Sequence, residues 1–402
     1  MFETFLPADA RMEEQLIDTV LTLSPAATEE VDAPMLVAVE ATRLLREVRG
    51  IGRYVRALLP RLLALRPGLR LTLFVKNSQD VETLAPVFAA MPSLRQQLDI
   101  RPVREMVRCG ADVFWYPWNT ASPTPSRGAV VATMHDIVPI AHPDPRLRGW
   151  QKNLRWRRRY GATARRATLI IADSRFTADE IHRMLGVPHD RLRVALLAAD
   201  DFAVPPADGD AEALARLGVR TPFVLAVGAA DRRKNLALLE RAMPRVVAEH
   251  PGTTLVLAGP RRDAQSPLAD AAWRQTLGFV TDAELAALYR AAGVLVMPST
   301  YEGFGLPVLE AMRLGTPVIC ARGSSLPEVA GDAALWVDGD DDADLAAKVG
   351  RVLSDEHVRA SMRAASLDQA SLFSWDETAR LTLATFVEAL AMAGNPQRRS
   401  SS

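Results

Sequence analysis

Cysteine is nearly absent from this 402-residue chain: Cys109 and Cys320 are the only two, far apart and in no ligand-like spacing. A disulfide scaffold and a cysteine-rich zinc site are both excluded. No charge of one sign is in surplus, with 48 Lys+Arg against 48 Asp+Glu. A non-specific nucleic-acid binder needs extra cations to displace phosphate counterions, so no nucleic-acid partner is expected. No apolar run reaches membrane-spanning length, and the N-terminus is acidic where a secretory leader carries bases, so the expected compartment is the cytoplasm. Lysine is scarce, limited to Lys76, Lys152, Lys234 and Lys348, and each stands out against abundant arginine. What remains is 49% hydrophobic and 24% charged, the balance of a globular chain long enough for two domains.

Residues 1–33 hold eight acids against one base, Arg11, and read as a loosely docked acidic extension. From residue 34 short apolar runs alternate with helical stretches. Met35–Glu40, Leu71–Val75, Asp112–Tyr116, Ala129–Met134, Thr168–Ala172 and Leu192–Leu196 read as strands. Material from Leu71–Val75 to about Leu98 reads as helical. Thr177-Ala-Asp-Glu180 reads as a capping box opening a helix, and Thr281-Asp-Ala-Glu284 as another. The Pro-, Gly- and Asp-rich stretch from Asp200 breaks the alternation. It then restarts with Phe223–Val227, Thr254–Ala258, Leu277–Val280, Val294–Met297, Pro317–Cys320 and Ala334–Val337. Two blocks of alternating strands and helices imply an α/β chain of two doubly wound, Rossmann-like domains facing a cleft. The expected division is 34–199 for the first domain, 200–211 for a linker and 212–372 for the second domain. Residues 373–402 are expected to form a helix returning to the first domain, followed by a disordered tail.

The densest chemical signal is Pro298-Ser-Thr-Tyr-Glu302-Gly-Phe-Gly305-Leu-Pro307-Val-Leu-Glu310, between a strand and a helix. Its glycines allow close backbone approach, and Pro307 in the first helical turn costs no hydrogen bond. Amides around Gly305, Leu306 and Val308, at the positive end of the helix dipole, suit an anion. Glu302 and Glu310 bracket that point and are placed to grip hydroxyl-bearing groups, such as two sugar rings, on either side of it. The second signal is Arg232-Arg233-Lys234-Asn235, also between strand and helix. A helix N-terminus disfavours positive charge, so three cations there call for an anionic ligand, and a diphosphate fits. In the first half Gly50-Ile-Gly52-Arg53 is not a full dinucleotide fingerprint. His135-Asp136 follows a strand and points toward the cleft, with a ligand-facing and a structural role equally open.

These motifs resemble the family-4 retaining glycosyltransferases of GT-B fold, the glycosyl transferases group 1 class. The resemblance covers nearly the whole chain from about residue 34. It rests on Arg-Lys-Asn at 233–235, Gly-Phe-Val at 278–280, Glu302-x7-Glu310 and Ser325-Leu-Pro-Glu328-Val. In the first half, Gly-Ile-Gly-Arg-Tyr at 50–54, His135-Asp136-Ile137 and Ser174-Arg-Phe-Thr are similar to the branch acting in bacterial polysaccharide assembly. The resemblance implies a nucleotide-diphosphate sugar as donor, bound by the second domain, and a glycan or lipid-linked acceptor, bound by the first, with a lean toward mannose. It implies that Arg233 and Lys234 hold the diphosphate, that Glu310 binds the ribose and that Glu302 binds the transferred sugar. Backbone around Phe279, Val280 and Thr281 would meet the base, while Phe304, Gly305 and Leu306 complete the donor site. His135 would touch the donor sugar near the reacting carbon, and Gly52 would approach the phosphates. Many relatives carry their first diphosphate arginine directly after the strand glycine, where Ala229-Ala230 stands here, so Arg232 and Arg233 are both candidates.

No metal and no other cofactor is expected. Asp338-Gly-Asp-Asp-Asp-Ala-Asp344 contains Asp-x-Asp, but it sits between a strand and a helix, where aspartates are good N-caps. It fails as a calcium loop because positions six and twelve are Ala343 and Val349. Trp150–Tyr160 is basic and aromatic; it reads first as a helix with a solvated arginine face and Trp156 and Tyr160 packed inward, and second as a peripheral contact with the inner membrane surface. Two alternatives to a transferase are a nucleotide-sugar epimerase or hydrolase and a catalytically dead donor-binding partner. The first needs an acid/base pair at the sugar's second carbon, which Glu302-x7-Glu310 does not supply. The second leaves the intact set Lys234, Glu302, Glu310 and His135 unexplained.

Overall fold

The structure, a computed structural model, describes residues 34–47, 49–89, 97–143, 149–202, 209–228, 231–259 and 271–394. The acidic extension, most of the linker, Ala229-Ala230 and the tail from 395 lie outside the described residues. Among the described residues, the first domain has the strands β1 (Met35–Glu40), β2 (Leu69–Val75), β3 (Leu98–Pro102), β4 (Val113–Tyr116), β5 (Ala129–Met134), β6 (Leu169–Ala172) and β7 (Leu192–Val194). They pair in parallel in the order β3-β2-β1-β4-β5-β6-β7. Its helices are α1 (Ile51–Leu65), α2 (Ser78–Ala89), α3 (Val138–Ala141), α4 (Trp150–Arg166) and α5 (Arg175–Leu185).

The second domain has β8 (Phe223–Val227), β9 (Thr254–Ala258), β10 (Arg274–Gly278), β11 (Val294–Met297), β12 (Val318–Ala321) and β13 (Ala334–Val337), parallel in the order β10-β9-β8-β11-β12-β13. Its helices are α6 (Asp210–Leu217), α7 (Leu236–Glu249), α8 (Asp282–Ala291), α9 (Leu306–Arg313), α10 (Leu326–Ala330), α11 (Asp342–Ser354) and α12 (Glu356–Ser371). The last helix, α13 (Trp375–Gly394), packs on α1, β5 and β6 of the first domain. No helix among the described residues is long and apolar enough to cross a membrane.

Helices cover both faces of each sheet, so the central strands are apolar runs with little alternation: all six residues of β5 (AVVATM) are buried. The polar exception, Thr133, accepts from Trp115 Nε1 at 2.9 Å and lies 3.2 Å from the Tyr54 hydroxyl. Both polar aromatics thereby keep a partner in the core. Trp115 also meets Phe386 of α13, and Tyr54 meets Trp375, at ring separations of 5.5 and 6.1 Å.

Three local readings change. Leu98–Pro102 is an edge strand, not the end of a helix; its half-buried alternating LDIRP carries a polar face that masks it. The edge strand β10 lies at Arg274–Gly278, ahead of the apolar run Leu277–Val280, because pairing with β9 and not hydrophobicity sets it. The helix α5 begins at Arg175, two residues before Thr177, since Ser174 is its N-cap and accepts the Thr177 N–H at 3.0 Å. The Thr281–Glu284 capping box is present as expected. Asp341 caps α11 through the N–H groups of Ala343 and Asp344. Trp156 and Tyr160 form the inward pair on α4, with ring centroids 6.0 Å apart.

Trp375 is fully buried, and its indole donates to Asp201 at 2.6 Å where the chain leaves the first domain. Trp375→Ala is expected to cost about 3–5 kcal/mol, the range for emptying a large aromatic site. Urea denaturation measures it, and a loss under about 1 kcal/mol would show that α13 does not hold the first domain together.

Candidate functional site

In each sheet the strand order reverses beside the first strand, between β1 and β4 and between β8 and β11. Ligands of such sheets bind outside the carboxyl ends of the strands at that switch point. Three motifs emerge there, the Gly50–Gly52 turn between β1 and α1, Arg232–Lys234 after β8 and Glu302–Gly305 after β11, and His135 lies one strand farther along, after β5.

On the second domain, Lys234 Nζ pairs with Glu302 Oε1 at 2.7 Å. Gly228 (φ 126°) makes room for this, because a Cβ there would press against the Lys234 side chain. Of the two arginines Arg232 is exposed. Arg233 is half-buried; it pairs with Asp231 at 3.1 Å and donates to the Tyr301 carbonyl at 3.4 Å. Its Nε is buried without a partner among the described residues. Arg233 is therefore the arginine that belongs to the cleft. The Glu302–Gly305 loop is pinned from below. The Ser325 hydroxyl contacts the carbonyls of Glu302 and Phe304 at 2.9 and 2.8 Å, and Ser324 Oγ accepts the Glu302 N–H at 3.0 Å. Phe304 is buried against Phe373, and Gly305 (φ 105°) precedes Leu306, the first residue of α9. The Val308 N–H is already bonded to the Gly305 carbonyl at 2.9 Å. The anion site expected at three amides thus loses that one.

Glu310 is buried between two donors: Arg53 at 2.7 Å on Oε1 and the Tyr289 hydroxyl at 3.0 Å on Oε2. Burial pushes its carboxyl up to about 7, against the pull of Arg53 and Tyr289. Arg53 comes from the first domain. It also reaches both oxygens of Asp201, at 2.5 and 3.2 Å, and lies over the Phe202 ring. Nearby, Arg49 donates to Asp282 at 2.8 Å and to the Val280 carbonyl, and stacks over the exposed Phe279 ring at 4.5 Å. Arginines of the first domain thus meet the Phe279–Thr281 segment and Glu310.

His135 is held inside the first domain. Nδ1 lies 2.6 Å from Asp173 Oδ2, and Nε2 lies 2.8 Å from the Pro117 carbonyl. A carbonyl only accepts, so Nε2 carries a proton, and a second proton lies between Nδ1 and the carboxylate. Burial pulls the imidazole pKa down, but Asp173 and the Pro117 carbonyl outweigh it, and the net direction is up. Both ring nitrogens are committed inside the first domain. Of the two readings of His135 this arrangement displays the structural one, the ring tying Asp173 to the Pro117 turn. At Gly52 the Glu47 carbonyl fills the space a Cβ would take, so chain packing requires a glycine there.

The contacts that close the cleft join motifs to which the sequence assigned no role. The Gly303 carbonyl accepts from the hydroxyls of Ser174 and Thr177, at 2.7 and 3.0 Å. A Cβ on Gly303 would collide with the His135 carbonyl oxygen. The Glu328 carboxylate accepts the N–H groups of Arg175 and Phe176, at 2.8 and 2.7 Å, and so caps the first-domain helix α5 from the second domain. Tyr301 wedges between His142 and Phe176, with ring centroids 4.8 and 5.4 Å away. The signal for these partners was present in the Ser174-Arg-Phe-Thr and Ser325-Leu-Pro-Glu328 runs, but their pairing across the cleft was not. Among the described residues no group of three His, Cys, Asp or Glu side chains could hold a metal ion.

Two parallel Rossmann-like sheets meeting over a cleft of this composition define a GT-B glycosyltransferase fold, and solved structures agree. Sucrose-phosphate synthase from Thermosynechococcus elongatus matches with a TM-score of 0.65 at 22% identity, covering 89% of this chain and 99% of its own. Anabaena Alr3699/HepE, in complex with UDP and glucose, matches with a TM-score of 0.64 at 18% identity, covering 88% and 100%. The model for Glycosyltransferase Family 4 matches residues 48–200, and that for glycosyl transferases group 1 matches 211–368. The O-antigen chain mannosyltransferase B of Escherichia coli is 31% identical over 83% of this chain and 94% of its own length. The chain belongs to the glycosyl transferases group 1 family and is a glycosyltransferase. Escherichia coli mannosyltransferase WbdA is 32% identical over 68% of this chain, which spans 34% of that longer protein.

Two outcomes follow from this geometry. Nucleoside diphosphate affinity should climb as pH rises through about 7, where Glu310 becomes a carboxylate able to accept hydroxyls, and Glu310→Gln should lose that step. The raised pKa also means that stability is fully present below the ordinary value of 4.5 and is lost as pH rises through about 7. Calorimetry and denaturation across that window measure both, and identical profiles for the two proteins would remove Glu310 from the nucleotide site. Gly303→Ala should hold the domains apart, cutting turnover by about a hundredfold through misplacement while sparing nucleotide affinity. Small-angle scattering should then show a larger radius of gyration; an unchanged radius with full activity would mean the contact is dispensable.

Proposed function

We propose that the protein is a retaining, metal-independent hexosyltransferase. It moves mannose from a nucleotide-diphosphate sugar to a glycan or lipid-linked acceptor in O-antigen assembly. The observation that carries this reading is the convergence of Lys234, Arg233, Glu302 and Glu310 on one wall of a cleft that the first domain closes. The sugar and the assembly are supported by the relative named O-antigen chain mannosyltransferase B. HepE, on the same fold, binds UDP and glucose.

The donor displaces two pairs, one within the second domain and one between the domains. Lys234 exchanges Glu302 for the diphosphate, and Glu302 is released to the hydroxyls of the transferred sugar. Glu310 exchanges Arg53 for the ribose hydroxyls and keeps the Tyr289 hydroxyl. Lys234, Arg233 and the N-terminus of α9 oppose the charge that develops on the departing diphosphate, the task a metal performs elsewhere. The glycosidic bond to that diphosphate breaks as the acceptor hydroxyl attacks the same face of the sugar. The hydroxyl proton passes to a leaving phosphate oxygen, so no protein base is needed. His135 is a positioning residue: it fixes the Pro117–Asn119 turn and sets its carbonyl under Gly303.

The test is a transfer assay with GDP-mannose and a mannosyl acceptor in the presence of a chelator. An α-linked product seen by nuclear magnetic resonance is expected, and Lys234→Ala should weaken donor binding by about tenfold to over a hundredfold. A β-linked product, or activity lost to the chelator, would overturn retention or metal independence respectively. Unchanged donor affinity in Lys234→Ala would remove the diphosphate site.

A further inference from the structure

Arg49 lies on the loop between β1 and α1 and reaches across the cleft to the turn from β10 into α8. Its guanidinium lies over the Phe279 ring at 4.5 Å, although that ring remains 67% exposed. Nε donates to Asp282 Oδ1 at 2.8 Å, and Nη2 donates to the Val280 carbonyl. A flat group is thus stacked on an aromatic platform while one of its edges meets two neighbouring acceptors. This platform adjoins Glu310, since the charges of Arg49 and Asp282 both act on the Glu310 carboxyl, in opposite directions. Glu310 is the group proposed above for the ribose, and the base of a nucleotide is bonded directly to its ribose. A nucleotide seated on Glu310 therefore brings its base to the place that Arg49 fills.

The edge that Arg49 presents has a chemical likeness among the bases. The Nε–H and Nη2–H bonds of a guanidinium are parallel and flank one carbon. Guanine carries the same unit, because its ring N–H and its exocyclic amino group flank one carbon and point the same way. Uracil and thymine offer a single N–H between two carbonyl oxygens, one of which would face the Asp282 carboxylate. Adenine and cytosine set one amino donor beside a ring-nitrogen acceptor. Guanine alone among these supplies both acceptors, and a site built for two donors discriminates strongly against a base that lacks one. The Asp282 side chain is about half exposed. An exposed ion pair contributes little to stability, so Arg49 can give way to a neutral base.

We propose that Arg49 is a stand-in for the donor's base: it fills the nucleobase position in the empty cleft and yields it to a base with the same two-donor edge. Arg49 and Asp282 are then the residues that set specificity for guanine. The inference rests on the transferase reading and deepens it. Because Arg49 belongs to the first domain, the closed empty cleft and the bound base compete for one position.

The experiment uses the full chain, with calorimetry of GDP, inosine diphosphate and UDP on the wild type, Arg49→Ala and Asp282→Ala. Inosine diphosphate differs from GDP only in lacking the exocyclic amino group, so it leaves one acceptor unpaired whichever way round the base lies. The wild type should bind GDP at least about tenfold more tightly than either of the others. Arg49→Ala should tighten GDP binding by about three- to tenfold, since losing a resident competitor raises the fraction of protein open to the base. Asp282→Ala should narrow the gap between GDP and UDP by about tenfold or more. A wild type that binds GDP and inosine diphosphate equally, or an Asp282→Ala protein that keeps the full preference, overturns the base assignment. Weaker GDP binding in Arg49→Ala would make Arg49 a nucleotide contact, and unchanged binding would make it a bystander; either result overturns the stand-in role. Failure of all three nucleotides to bind the wild type is a different result, the failure of the transferase reading at the donor site.

Discussion

One guanidinium joins the two halves of this enzyme. Arg53, at the start of α1, is held by Asp201 where the chain leaves the first domain and ion-pairs with Glu310 inside the second. Glu310 would be costly to bury alone, and its desolvation is visible in its raised pKa. The closed cleft is therefore coupled to a charge balance. Any ligand that takes Glu310 from Arg53 must offer the carboxylate donors of its own, as ribose hydroxyls do. In the proposed reaction one carboxylate serves in turn the contact between the domains and the ribose of the nucleotide.

Around this pair the reactive loops are held from both sides. The Glu302–Gly305 loop is pinned to its own domain by Ser324 and Ser325, and to the other by Ser174 and Thr177 through the Gly303 carbonyl. Glu328 satisfies the amides that open α5. An opened cleft leaves those amides to water and frees the Gly303 carbonyl, so the helix end and the Glu302–Gly305 loop loosen together. Closure is then a concerted repacking of polar partners, with an aromatic wedge, Tyr301, setting its depth.

The strand–helix alternation and the glycines and charges at strand ends carry the architecture and the place of the site in the sequence itself. Each is a local pattern: a short apolar run, a cap, a cation where the helix dipole argues against one. The two edge strands escaped because pairing with a neighbour, and not hydrophobicity, defines them. The partners of the site residues escaped for a different reason. Arg53 and Glu310 lie 257 positions apart, and His135 meets Asp173 38 positions away and the backbone of Pro117. Spacing along the chain can nominate His135 or Glu310 as chemistry-bearing, but only the fold shows which atoms are already taken.

The returning helix α13 gives the chain an order of assembly. Its Phe386 and Trp375 complete the ring cluster around Trp115 and Tyr54, which belong to the first domain's sheet and first helix. During synthesis those rings leave the ribosome long before the segment that covers them. The second domain, by contrast, is continuous in sequence and has all its strands in hand before the last helix emerges. The domain begun first is thus finished last, and nascent chains carry an open apolar face on it until nearly the end of translation.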